Sequence, residues 1–112
     1  MGRLAAGQVV VLPFPFSDLS RNKYRPAPML ANAGLDDWVA CQITSNPYSD
    51  AQALTLTEQD FEAGNLAHVS YVRPGKLLTG HADLMEQIVG TVKPDFLGQA
   101  REAVIHLIRG KP

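Results

Sequence analysis

Proline and glycine divide this chain into short apolar segments, and this punctuation restricts the folds that the chain can adopt. The sequence has eight prolines and nine glycines in 112 residues. Short, closely spaced β-branched and aromatic segments between such residues are typical of a small barrel or rolled sheet rather than a βαβ sandwich. We therefore expect a mainly β fold.

Seven short strands are predicted between these breaks. They are Gln8–Phe14, Met29–Ala31, Trp38–Thr44, Ala53–Leu56, His68–Val72, Leu77–Thr79 and Ile88–Val92. The segment Ser17–Tyr24 is predicted as a flexible polar loop, Asp60–Asn65 as a turn and Ala82–Gln87 as about one helical turn.

The C-terminal segment has a different pattern. Pro94 suits the first position of a helix, and apolar residues then recur at helical spacing until Gly110. These apolar residues are Phe96, Leu97, Ala100, Val104, Leu107 and Ile108. We expect one terminal helix that packs on the barrel, within a single domain that spans residues 1–112.

Composition excludes several classes of protein. Apolar residues make up 46% of the chain and charged residues 19%, which excludes a disordered linker. The net charge is −1, so the chain lacks the basic excess of a protein that coats nucleic acid. The charge is unevenly distributed, since residues 31–70 hold six acidic residues and no Lys or Arg. Separate basic and acidic faces are therefore expected.

The single cysteine, Cys41, allows no intrachain disulfide and favours a reducing compartment. Pro13 and Pro15 interrupt the apolar N-terminal segment, and no apolar run approaches 18 residues. We expect a soluble cytoplasmic protein that does not enter membranes.

Common cofactor and metal motifs are missing from the sequence. Neither GxGxxG, GxxxxGK nor GxSxG occurs, which argues against nucleotide cofactors and a serine nucleophile elbow. Three histidines and the cysteine are too irregularly spaced to predict a metal site: His68, His81, His106 and Cys41. We expect no metal and no cofactor.

Groups that suit a phosphate ligand remain as candidates. They are Arg21, Lys23 and Arg25, then Thr44, Ser45 and Asn46 at the end of a strand, and finally Arg73 and Lys76. Arginine binds phosphate through a planar fork, and extended backbone before Pro26 fixes Arg25. The alternative interpretations stay open, because Arg25 could serve only solubility and Thr is a common strand former.

Five segments in this order resemble the MazF/PemK family of toxin–antitoxin toxins. They are GQVVVLPFPFSDLS from Gly7, YRPAPML from Tyr24, CQITSN from Cys41, DFEAGNL from Asp60 and SYVRPGKLLT from Ser70. The resemblance covers residues 7–109. It implies an SH3-like barrel with a terminal helix, usually a homodimer, that is neutralised by a cognate antitoxin.

The resemblance also implies an activity, since many such toxins are metal-independent endoribonucleases that cleave single-stranded RNA. Carried over by motif, the catalytic residues are Arg25 and Thr44, with Ser45 as a weaker candidate. The expected RNA-binding residues are Arg21, Lys23, Ser45, Asn46, Arg73 and Lys76. An acidic antitoxin segment is expected to cover the same basic groups.

One segment departs from the pattern of the family. Many ribonuclease members have an acidic and an amide residue shortly before the Arg-Pro step, whereas Ser20–Tyr24 is basic here. The closer likeness is to the PemK-like branch. Phe16, Tyr24 and Tyr48 are available for stacking on bases.

Cleavage of RNA requires only a few groups from an enzyme, because the 2′-OH is the nucleophile. Arg25 can stabilise the developing charge on phosphorus, and Thr44 can donate one further hydrogen bond. Arginine is a poor general acid or base, so the group that transfers the proton stays open. His81 suits proton transfer better, but the resemblance does not point to it.

A toxin that acts by protein contact is the competing interpretation. Similar barrels include poisons of DNA gyrase and binding modules that cleave nothing, and the fold alone does not separate these classes. A gyrase poison would use exposed apolar or aromatic residues at the end of its helix and would not need Arg25 or Thr44.

Overall fold

In the part of the chain that the structure describes, seven antiparallel strands form one curled, half-barrel sheet, and a helix near the C-terminus packs against it. The computed structural model describes residues 4–47, 49–85 and 87–110. The strands are β1 (Gln8–Pro15), β2 (Asn22–Gly34), β3 (Asp37–Thr44), β4 (Leu54–Leu56), β5 (Phe61–Gly64), β6 (Ser70–His81) and β7 (Gln87–Val92). Short 3₁₀ turns span Glu58–Asp60 and Ala82–Leu84, and the helix α1 spans Pro94–Arg109. The strand order is β4-β6-β3-β2-β1-β7-β5, which confirms the predicted mainly β class.

Strand β2 is longer than predicted and includes part of the segment expected to be a loop. It pairs with β1 from Pro15–Asn22 to Val9–Pro28, so both of its prolines lie inside the sheet. The N–H of Gly7 donates to the carbonyl of Met29, which places Met29 on the β1 side of the strand. Because backbone polar groups alternate in direction along a strand, the backbone nitrogens of Pro26 and Pro28 face β3. Proline has no N–H, so these two residues cannot donate hydrogen bonds to β3.

Strands β2 and β3 part at this position. Their pairing runs only from Met29–Ala40 to Gly34–Asp37 in the described residues. Beyond it, Ile43 and Thr44 of β3 pair with β6 on the other side. The two prolines thus leave a gap between neighbouring strands of one sheet.

Strand β6 joins two segments that were predicted as separate strands. Cys41 pairs with Leu77 and Ile43 with Val72, so the four residues Arg73–Lys76 oppose Gln42 alone. This large bulge accommodates Pro74 and Gly75 without ending the strand.

The predicted turn at Asp60–Asn65 contains the short strand β5, which pairs with β7. Only its last residue, Gly64, has the positive φ that the prediction expected, at 68°. The predicted helical turn from Ala82 is a 3₁₀ turn as far as Leu84; Glu86, in the same predicted segment, lies outside the described residues.

Successive side chains of each strand point to opposite faces of the sheet, and the buried ones form two hydrophobic clusters. Cys41 and Ile43 of β3 join the cluster that contacts α1, whereas Ala40 joins the other cluster, against which Trp38 packs. Cys41 is fully buried, and burial raises the pKa of its thiol to about 12. A reactive thiolate is therefore disfavoured at this position.

The terminal helix is confirmed, but its buried face is shorter than predicted. Phe96 and Ala100 are buried in the core, and Leu97 and Val104 pack against it. By contrast, Ile108 is 73% exposed. No helix among the described residues is long and apolar enough to cross a membrane.

Candidate functional site

A groove lined by basic side chains lies across the neighbouring strands β6, β3, β2 and β1. We call it the basic groove; its volume is about 350 Å³. Four cations line it, together with aromatic and polar side chains: Lys23, Arg25, Arg73, Lys76, Phe14, Phe16, Ser17 and Gln42. Cations and aromatic rings along one open groove are suited to a single-stranded polyanion with stacking bases.

The local folding of three elements brings these cations together. The β1–β2 hairpin pairs Lys23 with Phe14 and Arg25 with Leu12, which places the two cations on the strand after the turn. The β6 bulge brings Arg73 and Lys76 opposite Gln42. Residues far apart in sequence therefore form one charged surface.

Polar contacts hold two of the four cations of the groove, Arg73 and Lys76. Arg73 Nε donates to Asp50 Oδ2 at 2.9 Å, and Lys76 Nζ donates to Ser17 Oγ. The hydrogen bond from Arg73 lowers the pKa of the Asp50 carboxyl, although burial opposes this shift. Asp50 thus offsets part of the positive charge of the groove and fastens the loop that follows β3 to β6.

The gap between β2 and β3 forms a second, smaller cavity, which we call the Arg25 cleft. Its volume is about 180 Å³. Arg25 and Pro26 line it from β2, and Thr44 lines it at the end of β3. The remaining lining residues are Ile43, Ser45, Leu66, Ala67, His68 and Ser70. The two predicted catalytic residues therefore share one cavity, although they are 19 positions apart in sequence.

The Thr44 hydroxyl has a fixed position in this cleft. Thr44 is only 3% exposed, and its Oγ1 accepts a hydrogen bond from the N–H of Asn46 at 3.2 Å. The hydroxyl proton can be donated to an anion in the cleft. Arg25, which is half-buried, lines both the cleft and the basic groove and so connects the two spaces.

The other predicted site residues are distributed around these cavities. Ser45 lines the Arg25 cleft, and Asn46 contributes its backbone N–H beside it. Arg21 does not line the groove; its guanidinium stacks 4.9 Å from the ring centre of Phe16, which does. Tyr24 is 60% exposed; Tyr48 lies outside the described residues.

His81 lies away from the cleft, at the far end of β6. Its imidazole faces Asp36 at 3.9 Å and Asp83 at 3.6 Å. Among the described residues, no three His, Cys, Asp or Glu side chains are grouped as a metal site requires.

Four polar lining residues were not predicted as site residues from the sequence: Ser17, Gln42, His68 and Ser70. Gln42 gave a weak signal, because it is the polar residue inside an otherwise apolar strand. His68 and Ser70 gave none, since their place in the cleft depends on the pairing of β6 with β3 and β4.

Comparison with known proteins gives structural matches only. No protein-family model matches the sequence, and no curated protein matches it. The crystal structure of MazF from Deinococcus radiodurans has a TM-score of 0.76 at 20% identity, covering 97% of this chain and 99% of that one. An endoribonuclease from a Mycobacterial species has a TM-score of 0.70 at 20% identity, covering 100% and 96%. A Mycobacterial endoribonuclease in complex with its cognate antitoxin has a TM-score of 0.67 at 17% identity, covering 100% and 98%.

These matches define the class of fold. Nearly the whole chain superposes on nearly the whole of each similar structure, so the likeness concerns the complete barrel and helix. The chain has the fold of MazF.

Proposed function

We propose that this protein is a toxin of the MazF/PemK family. It is an endoribonuclease that cleaves single-stranded RNA in the cytoplasm without a metal ion and thereby stops translation and growth. A cognate antitoxin neutralises it, and the working form is a homodimer. The shared fold, the similar structures named as endoribonucleases and the five sequence segments support this proposal.

The observation that carries the proposal is the meeting of Arg25 and Thr44 in one small cleft that adjoins the basic groove. At about 180 Å³ the cleft is the smaller of the two cavities, and it adjoins the larger groove at Arg25. This space suits one phosphodiester group, and the groove beside it suits the flanking nucleotides.

The chemistry follows from the positions of these groups. The 2′-oxygen of the substrate attacks the adjacent phosphorus, and the bond from phosphorus to the 5′-oxygen breaks. Arg25 pairs with the phosphoryl oxygens and stabilises the charge that develops on them. Thr44 donates a hydrogen bond to the same group from a rigid position. The products are a 2′,3′-cyclic or 3′ phosphate and a 5′-hydroxyl.

End mapping after cleavage in excess EDTA tests the proposal. Purified protein is incubated with a long single-stranded RNA, and the ends of the fragments are identified. We expect cleavage in EDTA with 5′-hydroxyl ends, and no cleavage of RNA that carries a 2′-deoxy nucleotide at the mapped site. An Arg25→Ala sample purified in parallel controls for contaminating ribonuclease. Loss of activity in EDTA, or 5′-phosphate ends, would contradict the mechanism.

A toxin that acts by protein contact is the second candidate, and one observation favours it. Ile105, Leu107 and Ile108 near the end of α1 are 36%, 37% and 73% exposed, which gives the helix end an apolar surface. Absence of RNA cleavage together with inhibition of gyrase would support this alternative. Activity that survives Ile108→Ser but not Arg25→Ala would reject it.

A further inference from the structure

His68 is placed where the proposed reaction requires a group that transfers protons. It lines the Arg25 cleft together with Arg25 and Thr44. The same residue also lines a neighbouring cavity of about 390 Å³, which we call the Glu58 cavity after the carboxylate on its wall. His68 therefore lies between the Arg25 cleft and the Glu58 cavity, and the Arg25 cleft in turn adjoins the basic groove.

The backbone holds this histidine at the cleft. Ser70 is only 6% exposed, and its Oγ donates to the carbonyl of His68 at 3.0 Å. Ser70 begins β6 and pairs with Leu56 of β4. The exposed residue His68 thus lies next to a buried, paired residue, Ser70, and borders both solvent and the cleft.

The other side chains of the cleft are poor proton acceptors. The guanidinium of Arg25 has donors but no acceptor, and the hydroxyls of Thr44, Ser45 and Ser70 are weak bases. The charged groups that share a cavity with His68, among the described residues, are Arg25 of β2 and Glu58 of the 3₁₀ turn. Glu58 lines the Glu58 cavity but not the Arg25 cleft, which leaves the imidazole as the base at the cleft.

We propose that His68 is the general base of the RNA cleavage, an inference that rests on the proposed function. The 2′-hydroxyl gives its proton to an imidazole nitrogen of His68 as the bond from the 2′-oxygen to phosphorus forms. The bond from phosphorus to the 5′-oxygen breaks, and solvent water protonates the leaving oxygen. The imidazolium then returns its proton to solvent, so protons and charge balance over the cycle.

The test compares His68→Gln with wild type on a short RNA that spans the mapped cleavage site. General bases contribute about 10²- to 10⁴-fold, so we expect kcat to fall by about 100-fold or more. The rise of rate with pH on the acid side should be present in wild type and lost in His68→Gln. His81→Gln is the matched control, because His81 ends β6 whereas His68 lies just before its start, and the rate of this variant should stay within about twofold.

A second substrate separates a base from an acid, and the pH profile separates a base from a merely structural role. In an RNA with sulfur in place of the 5′-bridging oxygen, the leaving group needs no protonation. We expect the loss in His68→Gln to persist on this substrate. Recovery of the rate there would make His68 the acid and overturn the proposal, as would an unchanged pH profile.

The two failures are distinguishable. Wild-type protein that cleaves no RNA contradicts the proposed function and the role of His68 with it. Wild-type cleavage that His68→Gln retains, with normal thermal unfolding, contradicts only the role of His68.

Discussion

Arg25 lies on the boundary between the basic groove and the Arg25 cleft, and its side chain contributes to both. In the proposed reaction, this guanidinium holds the backbone of the substrate and stabilises the reacting phosphate. Since Arg25 is half-buried on a paired strand rather than part of the core, it can be replaced without removing core contacts.

Replacement of Arg25 should separate activity from stability. We expect Arg25→Ala to reduce RNA cleavage by about 10²-fold or more, because loss of one donor to a developing anion has an effect of this size. The melting temperature should change little. Cleavage at fixed RNA concentration and thermal unfolding of the same samples measure the two effects. An active Arg25→Ala variant, or one that fails to fold, would contradict the catalytic assignment.

The ion pair of Asp50 and Arg73 should make stability depend on pH. Arg73 lowers the pKa of the Asp50 carboxyl in the folded state, so the carboxylate contributes stability above the pKa of the unfolded chain. This contribution is lost as the pH falls through the folded pKa. We expect Asp50→Asn to melt below wild type at pH 7, and the difference should disappear in strong acid. Melting curves from pH 7 to pH 2 measure it, and a constant difference would contradict the linkage.

The sequence allowed only part of this site to be predicted. Resemblance singled out Arg25 and Thr44, whereas strand periodicity treated both as ordinary residues. His68 could not be found by either route, because its neighbours in the cleft come from strands 24 and 43 residues away, at Thr44 and Arg25. The register of strands that are far apart in sequence determines which residues line such a cavity, and the local residue pattern does not predict that register.

At the scale of elements, β5 and β7 approach each other very closely. A Cβ added at Gly90 would lie 2.6 Å from the carbonyl oxygen of Ala63 and 3.0 Å from the ring of Phe61. The sheet edge formed by β5 therefore depends on the absence of a side chain at this position.

Two glycine substitutions should have opposite effects on stability. We expect Gly90→Ala to destabilise the fold by about 1–3 kcal/mol, the usual cost of overpacking. Gly98 in α1 is the matched control, since nothing lies within 4 Å of an added Cβ. Alanine there should stabilise the helix by up to about 1 kcal/mol. Urea unfolding measures both changes, and equal signs would contradict the packing argument.

Element prediction succeeded where local chemistry determines the outcome and failed where pairing does. Pro94 and Gly110 marked the helix ends correctly. The prolines of β2 were predicted as extended backbone before the strand, and the Pro74-Gly75 step fell between two predicted strands, yet both lie inside strands. In β2 the prolines face the side where β3 has parted, and in β6 a bulge accommodates them. Neither circumstance is encoded within a few residues of the proline.

At the scale of the whole molecule, two exposed leucines lie in segments that a backbone hydrogen bond joins. Leu35 in the β2–β3 turn is 97% exposed, and Leu84 is 43% exposed. The N–H of Ala82 donates to the carbonyl of Asp36 at 2.8 Å, which brings the segments that carry these leucines together. A second copy of the chain could cover this surface through a two-fold contact.

We expect a dimer at micromolar concentration. Sedimentation velocity measures the molecular mass in solution, and Leu35→Asp combined with Leu84→Asp should shift the equilibrium toward monomer. Leu19→Asp is the control, because Leu19 is 76% exposed in the separate β1–β2 turn. A wild-type monomer at these concentrations would refute the dimer.

The parting of β2 and β3 has a further consequence for the energetics of the folded state. Arg25 and Thr44 lie on opposite sides of the gap between β2 and β3, where the described residues of the two strands form no backbone pairs. A bound polyanion that contacts both strands would connect β2 and β3 across this gap. Binding then raises the free energy of unfolding by about 2.7 kcal/mol when the free ligand concentration is 100 times Kd. Bound RNA should therefore slow hydrogen exchange of the amides of β2 and β3 beside the gap, far more than at the turn of the β1–β2 hairpin.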